Sequence, residues 1–288
     1  MTPEEYHKAP GLNSSLLSAF YESPDRALIP TEPKSYFSIG TAFECMVEDE
    51  ATGVKTFAEK FFFAESSGAL PEKLLGWIES GEDLGDKYRL NKDLSRSKTS
   101  ATLHGYLDEC VDRPGLLPIG TADAAMLKTM VDNFFKMEVN GAPVRGLLER
   151  AEFQVPIFWE AQGIKKKALF DAIVVDKMSN SASIFDLKTS VNRHQFGQML
   201  KSKYWVQGAH YREGAESVYW ESLPMIFLVS YKTPPYLAQA RGIEIDSLDA
   251  AEDRYTDLVE RFVEWDKAGR PAKGWLDYRE DKIWFDAA

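Results

Sequence analysis

The chain has 288 residues, 44% hydrophobic and 27% charged, with a formal net charge of −11, which is ordinary for a globular protein able to bury a sizeable core in one large domain or two small ones. No run of about eighteen apolar residues is present, so no membrane-spanning helix is expected, and Cys45 and Cys110 are too few for a disulfide framework or a four-cysteine iron–sulfur cluster. The acidic total argues against a bulk nucleic-acid coat, although a local field can still be basic.

In chain order, Asn13, Ser14 and Ser15 stand before the apolar run of residues 16–21, the pattern of a capped helix that Ser23 and Pro24 stop. The first residues, Met1 to Glu5, lack the basic and apolar segments of a signal peptide, and a reducing cytoplasm is the expected compartment. Residues 35–50 contain a turn at Gly40 and a second helix on which Glu44 and Glu48 share a face. Residues 57–63 read as a short strand. Residues 66–117 are polar, with scattered Gly and Lys, and read as an insertion with one helix near residues 101–112 and the character of a mobile flap; His104 in it reads as structural. Residues 121–136 set Leu127, Met130, Val131 and Phe134 at helical spacing, a core stripe rather than a cofactor box.

The densest signal lies in residues 151–214. Residues 151–159, 167–175 and 184–189 read as strands, the last two joined as a hairpin by the polar turn-formers of residues 176–181. Alternation places Asp186 and Lys188 on one face and Phe185 and Leu187 on the other. Asp171 stands among Phe170, Ala172, Ile173 and Val174, where an unpaired carboxylate is costly. If the hairpin forms, Asp171 sits beside Asp186, and two carboxylates and an ammonium meet around one point. Mg²⁺ is bound in that way, through one or two carboxylates plus waters and phosphate. A neighbouring lysine can orient or deprotonate the attacking water, or neutralise charge developing on a phosphate. A bare Asp-x-Lys is more often a strand-edge ion pair; the upstream acid on the hairpin mate and the helix directly after it sharpen the signal.

That helix runs from about residue 194 to 216 and carries Tyr204, Gln207 and Tyr211 on one stripe. An amide and two phenols are poor core material and suit a phosphate backbone or a splayed base; the plainer alternative is a pair of half-buried tyrosines. Lys165, Lys166 and Lys167 before Asp171, with Lys201 and Lys203, concentrate positive charge around the same point, unless they are simply solvated surface lysines. An acidic exterior with a basic channel would suit an enzyme that holds its substrate inside a ring. Residues 224–229 and 240–245 come next as strands, and residues 247–268 as a charged amphipathic helix with Tyr255, Leu258, Val259 and Phe262 inward. The tail carries Trp275, Tyr278, Trp284 and Phe285, aromatics suited to docking on the body or on another subunit. No Gly-rich phosphate loop or nucleophile elbow is present, so ATP use is unsupported.

Asp171, then Asp186-Leu187-Lys188-Thr189, then Gln207-x-x-x-Tyr211 resembles the PD-(D/E)XK nuclease superfamily. More narrowly it is similar to phage and prophage exonucleases of the exonuclease VIII (RecE) type, relatives of the RecB nuclease domain and lambda exonuclease. The likeness covers residues 12–246 and is strongest over 152–211. It implies an α/β restriction-endonuclease-like core, a mixed central β-sheet flanked by helices, with a helical N-terminal part. One nuclease domain would fill residues 1–288: a mainly helical part with the insertion (1–150), the catalytic core (151–246), and a C-terminal helix with the aromatic tail (247–288). The resemblance implies that Asp171, Asp186 and the Leu187 carbonyl hold the metal and that Lys188 assists the water, with Gln207 and Tyr211 as the helix pair. Tyr204, Lys165 and Lys167 join these as candidate substrate contacts. Two positions depart from the pattern. Phe170 stands where the family name implies proline, and Glu44 stands where a histidine ligand is common; a carboxylate suits Mg²⁺ or Mn²⁺ equally, provided its helix packs against the sheet.

The implied activity is a Mg²⁺-dependent exodeoxyribonuclease that digests the 5′ strand of linear duplex DNA from its ends in phage-type recombination. A ring-shaped homo-oligomer, a single-strand annealing partner and the cytoplasm of a bacterial or phage-infected cell go with it. Two alternatives stand beside it: a structure-selective endonuclease of the same fold, and a non-catalytic DNA-end-binding or assembly protein, which the intact acid–acid–lysine set disfavours.

Overall fold

The computed structural model describes residues 3–29, 39–66, 72–81, 98–176, 181–219, 223–242 and 245–272. Three short helices open the chain: α1 (Pro3–Lys8), α2 (Ser14–Glu22) and α3 (Pro24–Leu28). Asn13 caps α2 as its position predicts, its side-chain oxygen accepting from the Leu16 N–H at 2.8 Å. Helix α4 (Ile39–Thr52) carries Glu44 and Glu48, but Gly40 lies inside its first turn and makes no turn before it. The strand expected over residues 57–63 is only half right. Phe57 belongs to α5 (Thr56–Lys60), whose start is held by Asp49 of α4 accepting from the Phe57 N–H at 3.1 Å, and only β1 (Phe61–Phe63) is extended. That cap comes from outside the local window, which is why the spacing of the phenylalanines misleads.

The insertion is more ordered than its composition suggests. Helices α6 (Glu72–Glu79) and α7 (Lys98–Val111) bury Leu74, Trp77, Tyr106, Leu107 and Cys110 against Phe62 and Ala64. The Glu109 carboxylate accepts from the N–H groups of Glu65 and Ser66, each at 2.9 Å, and β1 pairs in parallel with β2 (Leu117–Ile119) beyond the insertion. The described part is therefore packed rather than a loose flap; most of the Asn/Arg/Lys-rich stretch, residues 82–97, lies outside the described residues, as does the aromatic tail. Helix α8 (Thr121–Phe134) buries the expected Leu127, Met130, Val131 and Phe134. A two-residue ribbon, β3 (Glu138–Val139) with β4 (Ala142–Pro143), leads to the short helix α9 (Val144–Leu148).

Then comes the central sheet, β5 (Glu152–Ala161), β6 (Ile164–Asp176), β7 (Ser181–Ser190), β8 (Met225–Tyr231) and β9 (Ala238–Gly242), in that spatial order. Neighbours are antiparallel except β7 and β8, which run parallel and so need a crossover. The crossover is α10 (Arg193–Met199), a π turn (Leu200–Tyr204) and α11 (Trp205–Tyr219). One face of the sheet packs Phe185, Leu187 and Leu228 against Phe43 of α4 and Met130 and Phe134 of α8. The other packs Ile184, Phe227 and Val229 with Phe196 and Tyr211 of the crossover. Behind α11, Leu17 and Phe20 of α2 meet Phe262 of α12 (Ile245–Lys267). A mixed sheet flanked by helices on both faces, with a helical N-terminal part, is thus the architecture. No helix among the described residues is long and apolar enough to cross a membrane.

Inward–outward alternation breaks at one place in β5 and β6. Phe153 faces the α4 layer while Val155 and Ile157, of the same parity, face the α11 layer; likewise Phe170 and Ala172 go to opposite sides. Register leaves Gln154 opposite Asp171 at the break, and Gln154 sits at φ 51°. A non-glycine residue in the left-handed region costs on the order of 1–3 kcal/mol. The resulting kink falls at Asp171.

Candidate active site

Strands β6 and β7 pair from Asp176↔Ser181 to Ala172↔Phe185, and there the ladder stops. One step further, Asp171 and Asp186 stand opposite each other where the strands diverge. Ile184 donates its N–H to Pro224 on the β8 side, so by alternation the backbone of Leu187 turns toward β6. Having no strand partner there, the Leu187 N–H donates to Oδ2 of Asp171 at 2.8 Å. The carboxylate takes the place of a missing rung, and the Leu187 carbonyl faces the same gap.

Asp186 is fully buried. Its Oδ1 accepts from Nε2 of Gln207 on α11 at 2.6 Å. Its Oδ2 lies against the Lys188 ammonium in a close ion contact, yet with no hydrogen bond of ordinary geometry from any group. The contact is best read as ionic rather than as a formed hydrogen bond. Lys188, 20% exposed at its side chain, also lies 5.5 Å from the ring centre of Tyr204, the last residue of the π turn, which stacks on Phe227. Such turns insert a residue into a helix and recur at functional sites.

Burial pushes the Asp171 carboxyl well above the usual carboxylate range, and the charges of Asp186 and Glu44 push it further, against Lys188 and the Leu187 N–H. Burial raises Asp186 too, opposed by Lys188 and Gln207. For Lys188, burial works against the charge, but Asp186 and Asp171 outweigh it and hold the ammonium above its ordinary value. Two reluctant acids and one firmly charged lysine act as one electrostatic unit. Glu44 is close enough for its charge to act on Asp171, since α4 packs on β7. Among the described residues no three His, Cys, Asp or Glu side chains form a ready-made group for a metal ion.

No protein-family model matches the sequence, and no curated protein matches it. Among solved structures, the chain is similar to the crystal structure of a "Putative exonuclease" from Eubacterium rectale, with a TM-score of 0.42 and 16% identity over 90% of this chain and 96% of that one. At that distance the likeness says nothing about chemistry. The side chains must.

The structure brings together Asp171, Asp186, Leu187, Lys188, Tyr204 and Gln207, and separates other candidates from them. Tyr211 is buried, its hydroxyl donating to the Leu169 carbonyl at 2.8 Å and its ring 5.2 Å from that of Phe170; it packs behind the acids and presents no phenol to a substrate. Gln207 likewise spends its amide on Asp186. The lysine run is not a surface patch. Lys167 is 4% exposed, and its ammonium caps the C-terminal end of α1, donating to the carbonyls of Tyr6, His7 and Ala9 at 2.9, 3.2 and 2.6 Å. Lys166, its side chain fully buried, pairs with the partly exposed Glu213 at 2.7 Å. Lys165 is exposed, but beside Glu160 at the far end of β6, about 20 Å from Asp171 at roughly 3.3 Å per residue.

The Lys166–Glu213 pair belongs to a network that the sequence reading missed. Glu213 also accepts from Trp159 Nε1 at 3.0 Å and from the Tyr255 hydroxyl at 2.9 Å. His210 lies 2.8 Å from that hydroxyl through Nδ1 and donates through Nε2 to the Lys167 carbonyl at 3.0 Å. One signal was available: Lys166 alternates with Ile164 and Ala168, an apolar face on which a lysine must find an acid.

Proposed function

We propose that this chain is a metal-dependent nuclease, and within that class an exodeoxyribonuclease acting on linear duplex DNA. The observation that carries the reading is the convergence of Asp171, Asp186 and Lys188 in the gap where β6 leaves β7. A divalent cation suits this donor set. The oxygens are hard, the Asp186 Oδ2 is buried without a hydrogen bond, and both carboxyls are raised, as acids waiting for a cation are. Asp171, Asp186 and the Leu187 carbonyl would hold it, with Mg²⁺ or Mn²⁺ keeping waters at its other positions; Glu44 would act through its charge. Once bound, the ion supplies Lewis-acid polarisation of the phosphate and a bound water of lowered pKa.

The chain's own residues supply the rest. Leu187 N–H fixes the Asp171 carboxylate, and Gln207 fixes Asp186. Lys188 stays protonated between them and places a positive charge where a phosphate gains negative charge in the transition state. Tyr204 walls the lysine on one side. Digestion of the 5′ strand, a ring-shaped oligomer and a partner that anneals the exposed strand are the finer parts of this reading, and they rest on the motif resemblance.

The test is wild-type protein with end-labelled linear duplex and with closed circular DNA, each in Mg²⁺ and in chelator. Release of label from the linear duplex in Mg²⁺ alone is expected. Cutting of closed circles would make the protein an endonuclease, and no cutting of either substrate in Mg²⁺ or Mn²⁺ would sink the catalytic reading.

A further inference from the structure

Arg193 and Arg241 take no part in the site above, and their setting is unusual. Register aligns Asp186, Phe227 and Arg241 in one row across the sheet, Lys188, Val229 and Gln239 in the next, and Ser190 with Tyr231 in the third. Residues of a row share a face, so Arg241 and Gln239 lie on the face that carries Asp186 and Lys188. With strands ~4.8 Å apart, the backbone of Arg241 is about 10 Å from that of Asp186. Arg193 opens α10 just past Ser190, next to Tyr231. Both guanidiniums act on the Tyr231 phenol. With its amide in the orientation that satisfies both neighbours, Gln239 donates to the Tyr231 hydroxyl at 3.2 Å and accepts from Arg241, including Nη2 at 2.8 Å. Among the described residues neither arginine forms an ion pair with a carboxylate.

Two guanidiniums whose charge reaches one phenol, neither paired with a carboxylate, concentrate positive charge that an anion can join. The surrounding sequence repeats the message. From Leu187 through Arg212 there is no Asp or Glu, in a chain that has 45 of them. Phe196 and Tyr204 pack on Phe227, which closes the direct route along the sheet. A strand joining the two places must therefore pass over α10, where His194, Gln198 and Lys201 are exposed.

We propose that Arg193 and Arg241 form a second subsite, holding a phosphate of the same nucleic-acid strand whose scissile bond lies at Asp171, Asp186 and Lys188. The inference rests on the nuclease reading and adds where the strand goes. At roughly 3.4 Å per nucleotide, the straight-line separation of about 10 Å sets a lower bound of about three nucleotides, and the path over α10 is longer. Guanidinium forks suit phosphate oxygens, and Gln239 and Tyr231 fix the orientation of Arg241. In a protein of net charge −11, such local unpaired cations are what a polyanion can find.

The test is fluorescence anisotropy of a short labelled single strand in chelator, over a salt series, for wild type and for Arg193→Gln combined with Arg241→Gln. Each phosphate contact on a single strand contributes about 0.7 to the slope of log affinity against log salt. The double variant should lose about that much slope and bind several-fold more weakly. A neutral methylphosphonate moved along the strand should weaken wild type at one internal position and leave the double variant indifferent; sensitivity only to removing a 5′-terminal phosphate would mark the same subsite as one for the strand end. Wild-type binding with no change in slope and no loss of phosphate sensitivity in the variant overturns the subsite alone. Failure of wild type to bind DNA overturns the nuclease reading and the subsite with it. Arg193 is exposed, so its single variant carries the test if the double variant does not fold.

Discussion

Replacing Gln207 by leucine separates two roles that one glutamine can play. In the structure its amide faces inward and donates to Oδ1 of Asp186 at 2.6 Å, so it is a positioning residue for the acid. A hydrogen bond to a charged group is worth about 1.5–3 kcal/mol. If that whole value is missing from the transition state, at about 1.36 kcal/mol per tenfold, digestion slows roughly ten- to 150-fold. Leucine nearly fills the volume, so packing between α11 and the sheet should survive. The assay is the initial rate of digestion of end-labelled linear duplex at saturating Mg²⁺, alongside DNA affinity in chelator, which should stay within about twofold. A rate within about twofold of wild type would refute the positioning argument. Lost affinity with unchanged turnover would restore Gln207 to the substrate contact that its helical stripe suggests.

Asp186→Ala and Lys188→Ala should each abolish digestion while DNA binding in chelator persists; normal digestion by both would show that the chemistry lies elsewhere. Mg²⁺ or Mn²⁺ should raise the unfolding midpoint of wild type, by about 1.4 kcal/mol of stability at ten times the dissociation constant, and leave that of Asp186→Ala unmoved; an equal rise in both would place the cation away from these acids. Gly214→Ala should destabilise the fold by about 1–3 kcal/mol, because a Cβ there would lie 2.7 Å from Ile157 Cδ1 and 2.9 Å from the Trp159 ring; an unchanged midpoint in thermal melts would mean that α11 can lift off the sheet freely. His210 is buried, which holds its imidazole down at about 4, with Lys166 adding to that and the Lys167 carbonyl and Glu213 opposing it. The unfolded chain therefore takes up a proton first as pH falls from about 6.5 toward about 4, and up to about 3 kcal/mol of stability is lost in that window and regained above it. Urea titrations of wild type and His210→Gln should differ in slope there, and parallel curves would refute the assignment.

Much of the architecture was legible because the strong signals were local. The hairpin of β6 and β7 comes from two apolar runs around a polar turn, and α2 and α8 come from a cap and a stripe. What failed was set by distant partners. Phe57 joined a helix because Asp49 reaches its N–H, and Gly40 was absorbed into α4 where a turn was expected. At the site, the acids and Lys188 were placed by period-two alternation plus one hairpin, both readable. Tyr211 and Lys167 were misjudged for a shared reason: a polar side chain on a helix or strand looks available until the carbonyl that occupies it is known, and the carbonyls of Leu169 and of α1 carry no mark in the sequence.

The placement of the acids reflects what a regular ladder forbids. Had β6 and β7 stayed paired past Ala172, the Leu187 N–H would be bonded to a β6 carbonyl and its own carbonyl to a β6 N–H, leaving no room for a carboxylate between the strands. The kink at Gln154 and Asp171 removes that rung, at the cost of a strained residue and two acids, Asp186 fully buried and Asp171 partly so. An apolar pair of similar volume at 171 and 186 would be neutral or stabilising in a structural protein. Strain and raised acids oppose stability at one point, offset only in part by the lysine held charged between them, and all three serve binding of a cation and a phosphate there. A fold has no reason of its own to concentrate such costs in one gap.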